Sequence, residues 1–461
     1  MKILLVKVPS NIHIVVPPLS LAYVAAGLRG KAEVTILDCL KEGLDHAGFE
    51  KYLRNNRFDV VGCTAMSMEL NSALECCRIA KRVTPAVVTV IGGAHACTDP
   101  ESVLADDAVD FIFRGEAEPG LPAFIETLER RGTDFAGIPG LGYRVGENGT
   151  RSTRLNEPAF VQDLDRLPFP DFEAMKFEEY PKLYLARRHP FAPLLTSRGC
   201  PFPCTFCAGG VISGKKFRAR SPENILAEIR LMKEKYGVRE VQFWDDNFTL
   251  DRRRAERMCD LLIEAKLDLI WWCPNGVRLE TLDFSLLDKM KASGCYAMVL
   301  GIESGSEKIQ RDMRKNLKFE KLREVVEYAD FIGIRTQGFF ILGYPTETRE
   351  DIEATIRLAK SLPLRRATFG LFQPLPGSEI CRDLQRENRV AHLDFTRMEY
   401  SKPSVLPNGL RTLQELKNLQ RRALLEFYSR PRVLTRFIAE NMSWSQLKEL
   451  GAMVRTYLVK S

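Results

Sequence analysis

Long apolar runs are missing from this chain of 461 residues. The longest, near Ala292–Ile302, is broken by Gly and Cys and falls far short of the roughly 20 residues that a membrane helix requires, so no span is predicted. The apolar stretch within Lys2–Val8 is too short for a secretory leader, and no small-residue cleavage site follows it. It reads as a first β-strand, and a cytoplasmic location is expected. Cysteine is sparse for a disulfide-held protein: there are 12 in 461 residues, in a chain long enough to fold without staples, so reduced thiols are expected. Neither extreme of composition is present. Hydrophobic residues at 45% and charged residues at 28% exclude a disordered or collagen-like chain. The first strand is not followed by G-x-G-x-x-G, which argues against an ordinary NAD site.

The length predicts two or three domains. Residues 1–131 alternate β-branched runs (Lys2–Val8, Glu33–Leu37, Asp59–Thr64, Val87–Ile91, Phe111–Arg114) with helical stretches such as Ser72–Val83 and Gly120–Arg131. Such alternation predicts a parallel, doubly wound sheet of Rossmann-like type, whose ligands bind beyond the carboxyl ends of the strands. Those ends carry Asp38, Thr64-Ala65-Met66-Ser67, Gly92-Gly93-Ala94-His95 and Gly115-Glu116-Ala117-Glu118. Residues 132–190 read as a connector, with a hairpin turn at Glu147-Asn148-Gly149 between Leu141–Val145 and Thr150–Leu155, and an extended Leu167-Pro168-Phe169-Pro170.

A second series occupies 191–385. Strands are expected at Pro193–Ser197, Glu240–Trp244, Asp268–Cys273, Ala297–Ile302, Gln337–Leu342 and Ala367–Gln373, and helices at Pro222–Tyr236, Arg252–Ala265, Phe284–Ala292, Phe319–Ile332 and Arg349–Leu362. Six such units predict a partial (β/α)6 TIM-like barrel with its chemistry at the C-terminal rim of the strands. From 386 to 461 helical periodicity takes over. Of the net charge of +7, a surplus of +6 lies between Arg411 and Ser461, where ten Lys/Arg face four Glu. In Arg421-Arg422-Ala423-Leu424-Leu425-Glu426-Phe427-Tyr428 and Arg430-Pro431-Arg432, basic and aromatic residues interleave. This pattern suits an anionic substrate or peripheral membrane contact, and equally a solvated helical face whose arginine stems cover the barrel. No nucleic-acid-binding motif accompanies it.

The chemistry centres on Cys200-Pro201-Phe202-Pro203-Cys204-Thr205-Phe206-Cys207. Three thiolates on a Gly/Pro loop at a strand end can converge on a soft metal centre. Three ligands leave one iron of a four-iron cluster open to a substrate's amine and carboxylate. Zinc competes, but it calls for a fourth Cys or His near by, and the next downstream cysteine is Cys259. Three unrelated core thiols are the remaining reading.

This loop resembles the hallmark of the radical S-adenosylmethionine (SAM) superfamily, Cys-x3-Cys-x2-Cys after the first barrel strand with an aromatic residue, here Phe206, before the last cysteine. The likeness continues through Trp244-Asp245-Asp246-Asn247-Phe248, Gly301-Ile302-Glu303-Ser304-Gly305, Phe340-Ile341-Leu342-Gly343-Tyr344-Pro345 and Gln373-Pro374-Leu375-Pro376-Gly377-Ser378. The resemblance implies a [4Fe-4S] cluster on Cys200, Cys204 and Cys207, and SAM contacts from Phe206, Asp245, Asp246, Glu303, Ser304, Gly343 and Pro376. The N-terminal motifs, among them Pro17-Pro18-Leu19-Ser20-Leu21-Ala22-Tyr23, are similar to the B12-binding domain of the cobalamin-dependent class. That class includes the anaerobic magnesium-protoporphyrin ester cyclase and radical SAM methylases. It implies cobalamin near Asp38, Ser67, Gly92, Gly93, His95 and Glu116. The Asp-x-His-x-x-Gly signature of classical cobalamin domains is missing, since Asp45-His46-Ala47-Gly48 has the wrong spacing. A cobalamin without a histidine ligand fits, and for His95 a hydrogen-bonded structural role is favoured over cobalt ligation. Asp38 suits either a nucleotide tail or a cap, and Glu116 and Glu118 suit helix N-terminal charges. Cys295 and Tyr296 are expected at the start of the fourth strand, away from the rim, and Cys76 and Cys77 in the core.

The expected activity is that of a radical SAM enzyme. A one-electron reductant such as flavodoxin or ferredoxin reduces the cluster, SAM yields a 5′-deoxyadenosyl radical, and methylcobalamin delivers a methyl group to an unactivated carbon of a small-molecule or lipid-like substrate. Oxidative cyclisation, rearrangement or hydroxylation without methyl transfer is the alternative. A non-catalytic corrinoid or iron-sulfur sensor or carrier is the alternative of another class.

Overall fold

Alternate residues of the first strand serve two different cores. In β1 (Lys2–Lys7), Ile3 and Leu5 pack on one side of the sheet and Leu4 and Val6 on the other, the period-2 consequence of a pleated strand covered on both faces. The computed structural model describes residues 1–10, 14–146, 152–182, 186–391 and 393–440. The turn Glu147-Asn148-Gly149 and the basic residues of the tail beyond 440 lie outside the described residues. Strands β2 (Glu33–Asp38), β3 (Val60–Thr64), β4 (Val88–Gly92) and β5 (Phe111–Phe113) complete a parallel array in the order β2-β1-β3-β4-β5. This order has its switch point between β1 and β3, where the crevice of a doubly wound sheet opens. Two strands from the stretch read as a connector, β6 (Leu141–Val145) and β7 (Ser152–Leu155), extend the same sheet antiparallel from β5. Cys63, Cys76 and Cys77 are buried in the core on the Leu4 side, as expected for the last two.

The second series begins with β8 (Phe191–Leu194), followed by a two-stranded rung of β9 (Ser197–Arg198) on β10 (Arg218–Ala219). Strands β11 (Glu240–Phe243), β12 (Ile270–Val277), β13 (Cys295–Glu303), β14 (Arg335–Leu342) and β15 (Arg366–Leu371) then pair in chain order after β8, making one six-stranded parallel sheet. The helices 222–236, 252–265, 284–292, 319–331 and 349–361 form its crossovers. Four of them start at caps visible in the sequence: Ser221, Asp251, Asp283 and Thr348 each accept a backbone N–H of the first turn. On the helix side Val241, Phe243, Trp271, Met298, Leu300, Phe340 and Phe369 join the core that holds Ile3 and Leu5. On the other side Trp272, Tyr296 and Val299 form a small cluster with Phe339.

Two strands of the second series end well away from where they were expected. The first was expected over Pro193–Ser197 and stops at Leu194, because Asp245 takes Thr196 and Ser197 out of the ladder. The third was expected to end at Cys273 and runs to Val277, because register shifts on either side of Cys273 let Pro274 pass without a ladder hydrogen bond. No strand follows residue 386 among the described residues. The helix 413–428 instead buries Leu416, Leu419, Ala423 and Phe427. Among the described residues no helix is long and apolar enough to cross a membrane.

Candidate active site

The loop after β8 is built around the buried carboxylate of Asp245 at the end of β11. Its oxygens accept from Thr196 N and Ser197 Oγ, both at 2.6 Å, and from Thr196 Oγ1. Arg254, 3.8 Å from Asp245, donates to Thr196 O at 2.9 Å and Arg220 O at 3.1 Å. Both oxygens of Asp245 are therefore engaged within the protein. The chain next passes Gly199 with φ +85°, where a Cβ would stand 2.3 Å from Lys216 O. Only glycine fits there, and Cys200 N is thereby placed to donate to Gly214 O at 3.2 Å. Thr205 shares a 2.8 Å hydrogen bond with Tyr344, and Phe206 packs against the cluster of Tyr344 and Phe372 beyond β14 and β15.

Cys200 and Cys204 are half-buried and Cys207 is exposed. Each sulfur has one hydrogen-bond donor: Phe202 N–H for Cys200, Arg278 Nη1 at 3.7 Å for Cys204, and Gly209 N at 3.3 Å for Cys207. The surrounding protein pushes the Cys200 and Cys207 thiols up, and the backbone donors draw them back. Among the described residues no group of three or more His, Cys, Asp or Glu converges as the ligands of a single ion do. A four-iron cube meets each thiolate at a separate corner. Three sulfurs, each with its own N–H donor on a loop open at Cys207, fit that group.

A cavity of about 720 Å³ lies between the carboxyl ends of the two sheets. On one side it is lined by Thr64, Ala65, Met66, Gly92, Gly93 and Glu116, and on the other by Ser197, Arg198, Trp244, Asp246 and Asn275. Gly93 has φ +94°, and a Cβ there would meet Thr64 Oγ1 at 2.7 Å and Ala65 N at 2.9 Å. At Gly92, where a Cβ would meet nothing within 4 Å, the end of β4 presents bare backbone to the cavity, a surface that a broad flat group can approach closely. Burial and the neighbouring Asp245 push the Asp246 carboxyl up, against a hydrogen bond from Gly199 N–H.

Of the residues expected near cobalamin, Gly92, Gly93 and Glu116 line this cavity; Asp38, Ser67 and His95 do not. Asp38 caps a turn, accepting from Leu40 N at 3.0 Å and Lys41 N at 3.2 Å, and takes the Tyr180 hydroxyl at 3.0 Å. His95 is buried, with Nδ1 2.9 Å from Ser67 Oγ and Nε2 3.2 Å from Ser102 Oγ. Both ring nitrogens are engaged, and burial holds its pKa below the usual histidine value.

Of the residues expected near SAM, Asp246 alone lines the cavity. Glu303 ends β13 with φ +65° and pairs with Lys315 at 3.1 Å, in space that a side chain at Gly301 would fill. Ser304 accepts from Ser306 N at 3.2 Å and lies 3.2 Å from Thr355 Oγ1, against the helix 349–361. Gly343, φ +88°, follows β14 and donates to Glu347 at 2.5 Å; Pro376 is buried beyond β15. Cys295 and Tyr296 begin β13, and the Tyr296 hydroxyl donates to Glu240 at 2.8 Å.

The sequence reading missed the arginines of this site. Arg198 pairs with Glu116 at 3.3 Å and Glu118 at 2.9 Å and lies over the Tyr23 ring. Arg218 reaches Glu116 at 2.8 Å. Arg278 stands over the Phe202 ring, 3.6 Å from its centroid. Charge immediately before the cysteine loop, and at the end of a strand of the second series, was the available signal. Four of the described arginines of the tail are committed elsewhere. Arg422 pairs with Glu353 and Glu426, Arg430 covers Phe427 and donates to Leu362 O, and Arg432 and Arg436 pair with Asp330.

Two family models match the chain, the radical SAM superfamily over residues 194–359 and the B12 binding domain over residues 3–125. An uncharacterized methyltransferase of Pyrococcus horikoshii is 32% identical over 464 aligned residues, covering 99% of each chain. Cytidylyl-2-hydroxyethylphosphonate methyltransferase of Streptomyces wedmorensis is 30% identical, with 90% of this chain and 86% of that one covered. Among solved structures, the cobalamin-dependent SAM radical enzyme OxsB, with aqua-cobalamin and SAM bound, superposes with a TM-score of 0.74 over 99% of this chain and 75% of its own. At 15% identity that likeness is one of fold. With the three-cysteine loop and the cleft between two sheets, these matches show that the chain belongs to the radical SAM superfamily, in the group of radical SAM enzymes that carry a B12-binding domain.

Proposed function

We propose that this protein transfers a methyl group to a carbon atom of a small organic substrate held in the cleft between its two sheets. The observation that carries the reading is the cavity itself. One volume of about 720 Å³ joins the backbone ridge of Gly92 and Gly93 to Asp246 and Trp244 beside the cysteine loop. The methyltransferase relatives, matched along most of their length, support it. When bound, a [4Fe-4S] cluster on Cys200, Cys204 and Cys207 would cleave SAM to a 5′-deoxyadenosyl radical, and a cobalamin in the cleft would supply the methyl group.

The chain's own part is placement. Asp245 and Arg254 fix the strand end from which the cysteine loop springs, and Gly199 pins that loop to the segment 213–216. Gly92, where a Cβ would meet nothing within 4 Å, keeps the opposite wall low enough for a planar ligand to rest on backbone, with Glu116 at the cavity's edge. Asp246, with Gly199 N–H donating to it, is a carboxylate on the cavity wall whose charge reaches Cys200 and Cys207, and it suits an ammonium group of the cosubstrate. Tyr23, Trp244 and Ile212 supply apolar wall that excludes water from a reactive carbon. A low-potential one-electron protein such as a flavodoxin or ferredoxin would serve as reductant.

Anaerobic purification and reconstitution, with iron, sulfide and corrin quantified per chain, tests the cofactor set. Addition of reductant and SAM should then give 5′-deoxyadenosine and a product heavier by one methyl group. Bound cofactors without 5′-deoxyadenosine would make the protein a sensor or carrier. Nucleoside without a methyl gain would assign it to cyclisation or another radical outcome.

A further inference from the structure

Arg278, directly after β12, is tied down on every side. Its guanidinium lies 3.6 Å from the Phe202 ring centroid, donates from Nη2 to Lys315 O at 2.8 Å, and reaches Glu280 at 3.1 and 3.3 Å. Its backbone N–H points to Asn247 Oδ1 at 3.5 Å. Within that frame Nη1 is directed at Cys204 Sγ, 3.7 Å away. Phe202, the ring beneath the cation, sits between Cys200 and Cys204 in the chain. An arginine side chain 11% exposed has been fixed over the metal-binding loop by contacts that leave it one fewer position to adopt with each bond.

We propose that Arg278 sets the reduction potential of the cluster carried by Cys200, Cys204 and Cys207, an inference that rests on the reading of those cysteines as cluster ligands. One electron taken from a low-potential donor adds one negative charge to a cluster held there. A fixed cation at hydrogen-bond distance from a ligand sulfur favours the more negative, reduced form, and so makes the potential less negative. Arginine suits the task because its guanidinium does not lose its proton and its plane can stack on an aromatic ring while one edge donates. The other charges around it are arranged so that it acts through this sulfur. Lys315 is neutralised by Glu303 at 3.1 Å, and Glu280, 38% exposed, is screened by water and offsets only part of the cation. The neutral donors Phe202 N–H and Gly209 N–H serve the other two sulfurs, so the charged hydrogen bond falls on Cys204, while the Arg278 charge also reaches Cys200, where the Asp246 carboxylate opposes it.

The test is a potentiometric titration of the full-length protein, anaerobically reconstituted and followed by electron paramagnetic resonance without SAM. Wild type, Arg278→Gln, Arg278→Lys and Glu280→Gln are compared at matched iron and sulfide content. At the wild-type midpoint, Arg278→Gln should show a roughly tenfold lower ratio of reduced to oxidised cluster, a shift of about 59 mV to more negative potential for a one-electron couple. Arg278→Lys, which keeps the charge and loses the planar fork, should fall between the two. Glu280→Gln should move the midpoint the opposite way. Equal midpoints for all four proteins, or shifts of Arg278→Gln and Glu280→Gln in the same direction, would overturn the proposal. Should Arg278→Gln not take up iron, the sign of the Glu280→Gln shift decides alone. Absence of iron and sulfide from the wild type would instead overturn the reading of the cysteines.

Discussion

Replacing Arg198 by Met tests whether the two sheets are held in register by charge. Arg198 stands two residues before Cys200 and grips Glu116 and Glu118, which belong to the turn after β5. All three side chains are close to fully buried, at 11%, 8% and 11% exposure, so the pairs are not screened as surface pairs are. The methionine leaves Glu116 with Arg218 at 2.8 Å and with Val161 N donating at 2.7 Å, but leaves Glu118 with no cation. Removing one partner of a buried pair costs about 3–5 kcal/mol, chiefly because the other charge stays behind. At about 1.4 kcal/mol per tenfold, the opening equilibrium of this seam should rise by roughly two to three and a half decades. Hydrogen exchange read by mass spectrometry on peptides covering 111–120 and 195–204 reports that opening without needing a reversible global transition, which a chain of this size seldom offers. The double variant Arg198→Met with Glu118→Gln should recover much of the loss, since no bare charge remains. Exchange in Arg198→Met no faster than wild type would refute the reasoning, as would a double variant that opens by the sum of its singles.

Simultaneous replacement of Cys200, Cys204 and Cys207 by Ala should abolish the brown absorbance and reductive SAM cleavage together; cleavage retained would exclude the ligand assignment. Gly199→Ala should cost at least the roughly 1–2 kcal/mol of left-handed backbone strain and, because of the 2.3 Å approach of Lys216 O, should displace the loop and lower iron content after reconstitution. His95→Ala should leave the visible spectrum of bound corrin unchanged while lowering the melting temperature, since its two hydroxyl partners lose about 1–3 kcal/mol of hydrogen bonding; a changed axial-ligand spectrum would contradict this. Burial pushes the Glu347 carboxyl up to about 8, so the folded state binds the proton more tightly than the unfolded one. The stability this lends is complete below the ordinary carboxylate range and is lost as pH rises through about 8. Thermal melts between pH 5 and 9 should therefore show wild type losing stability relative to Glu347→Gln as the pH rises, and a constant difference would count against it.

What could be read from the chain alone divides along the range of the forces involved. The helices 222–236, 252–265 and 284–292 start and stop where their sequence places them, because their N-caps, apolar stripes and first turns are local. The strand after residue 190 ends early for a reason 49 residues away, the carboxylate of Asp245 drawing off Thr196 N. The same separation hides what the acidic residues do. A motif shows Asp245 and Asp246 side by side at a strand end, yet alternation along the backbone sends one into a buried hub and the other to the cavity wall. The thiolates were legible because three like ligands on one loop carry their geometry with them. The arginines were not, since Arg198 and Arg278 derive their meaning from Glu116, Glu118 and Cys204, contacts 74 to 82 residues apart that only the assembled fold supplies, the first two by packing one sheet against the other and the third by bringing the ends of β8 and β12 together in one sheet. The parts of the site that bind a cofactor are thus written locally, whereas the parts that tune and align it are properties of the assembled fold. Substitutions at the second kind should change potential and alignment before they change cofactor content, which is the ordering that the Arg278 and Arg198 variants are chosen to expose.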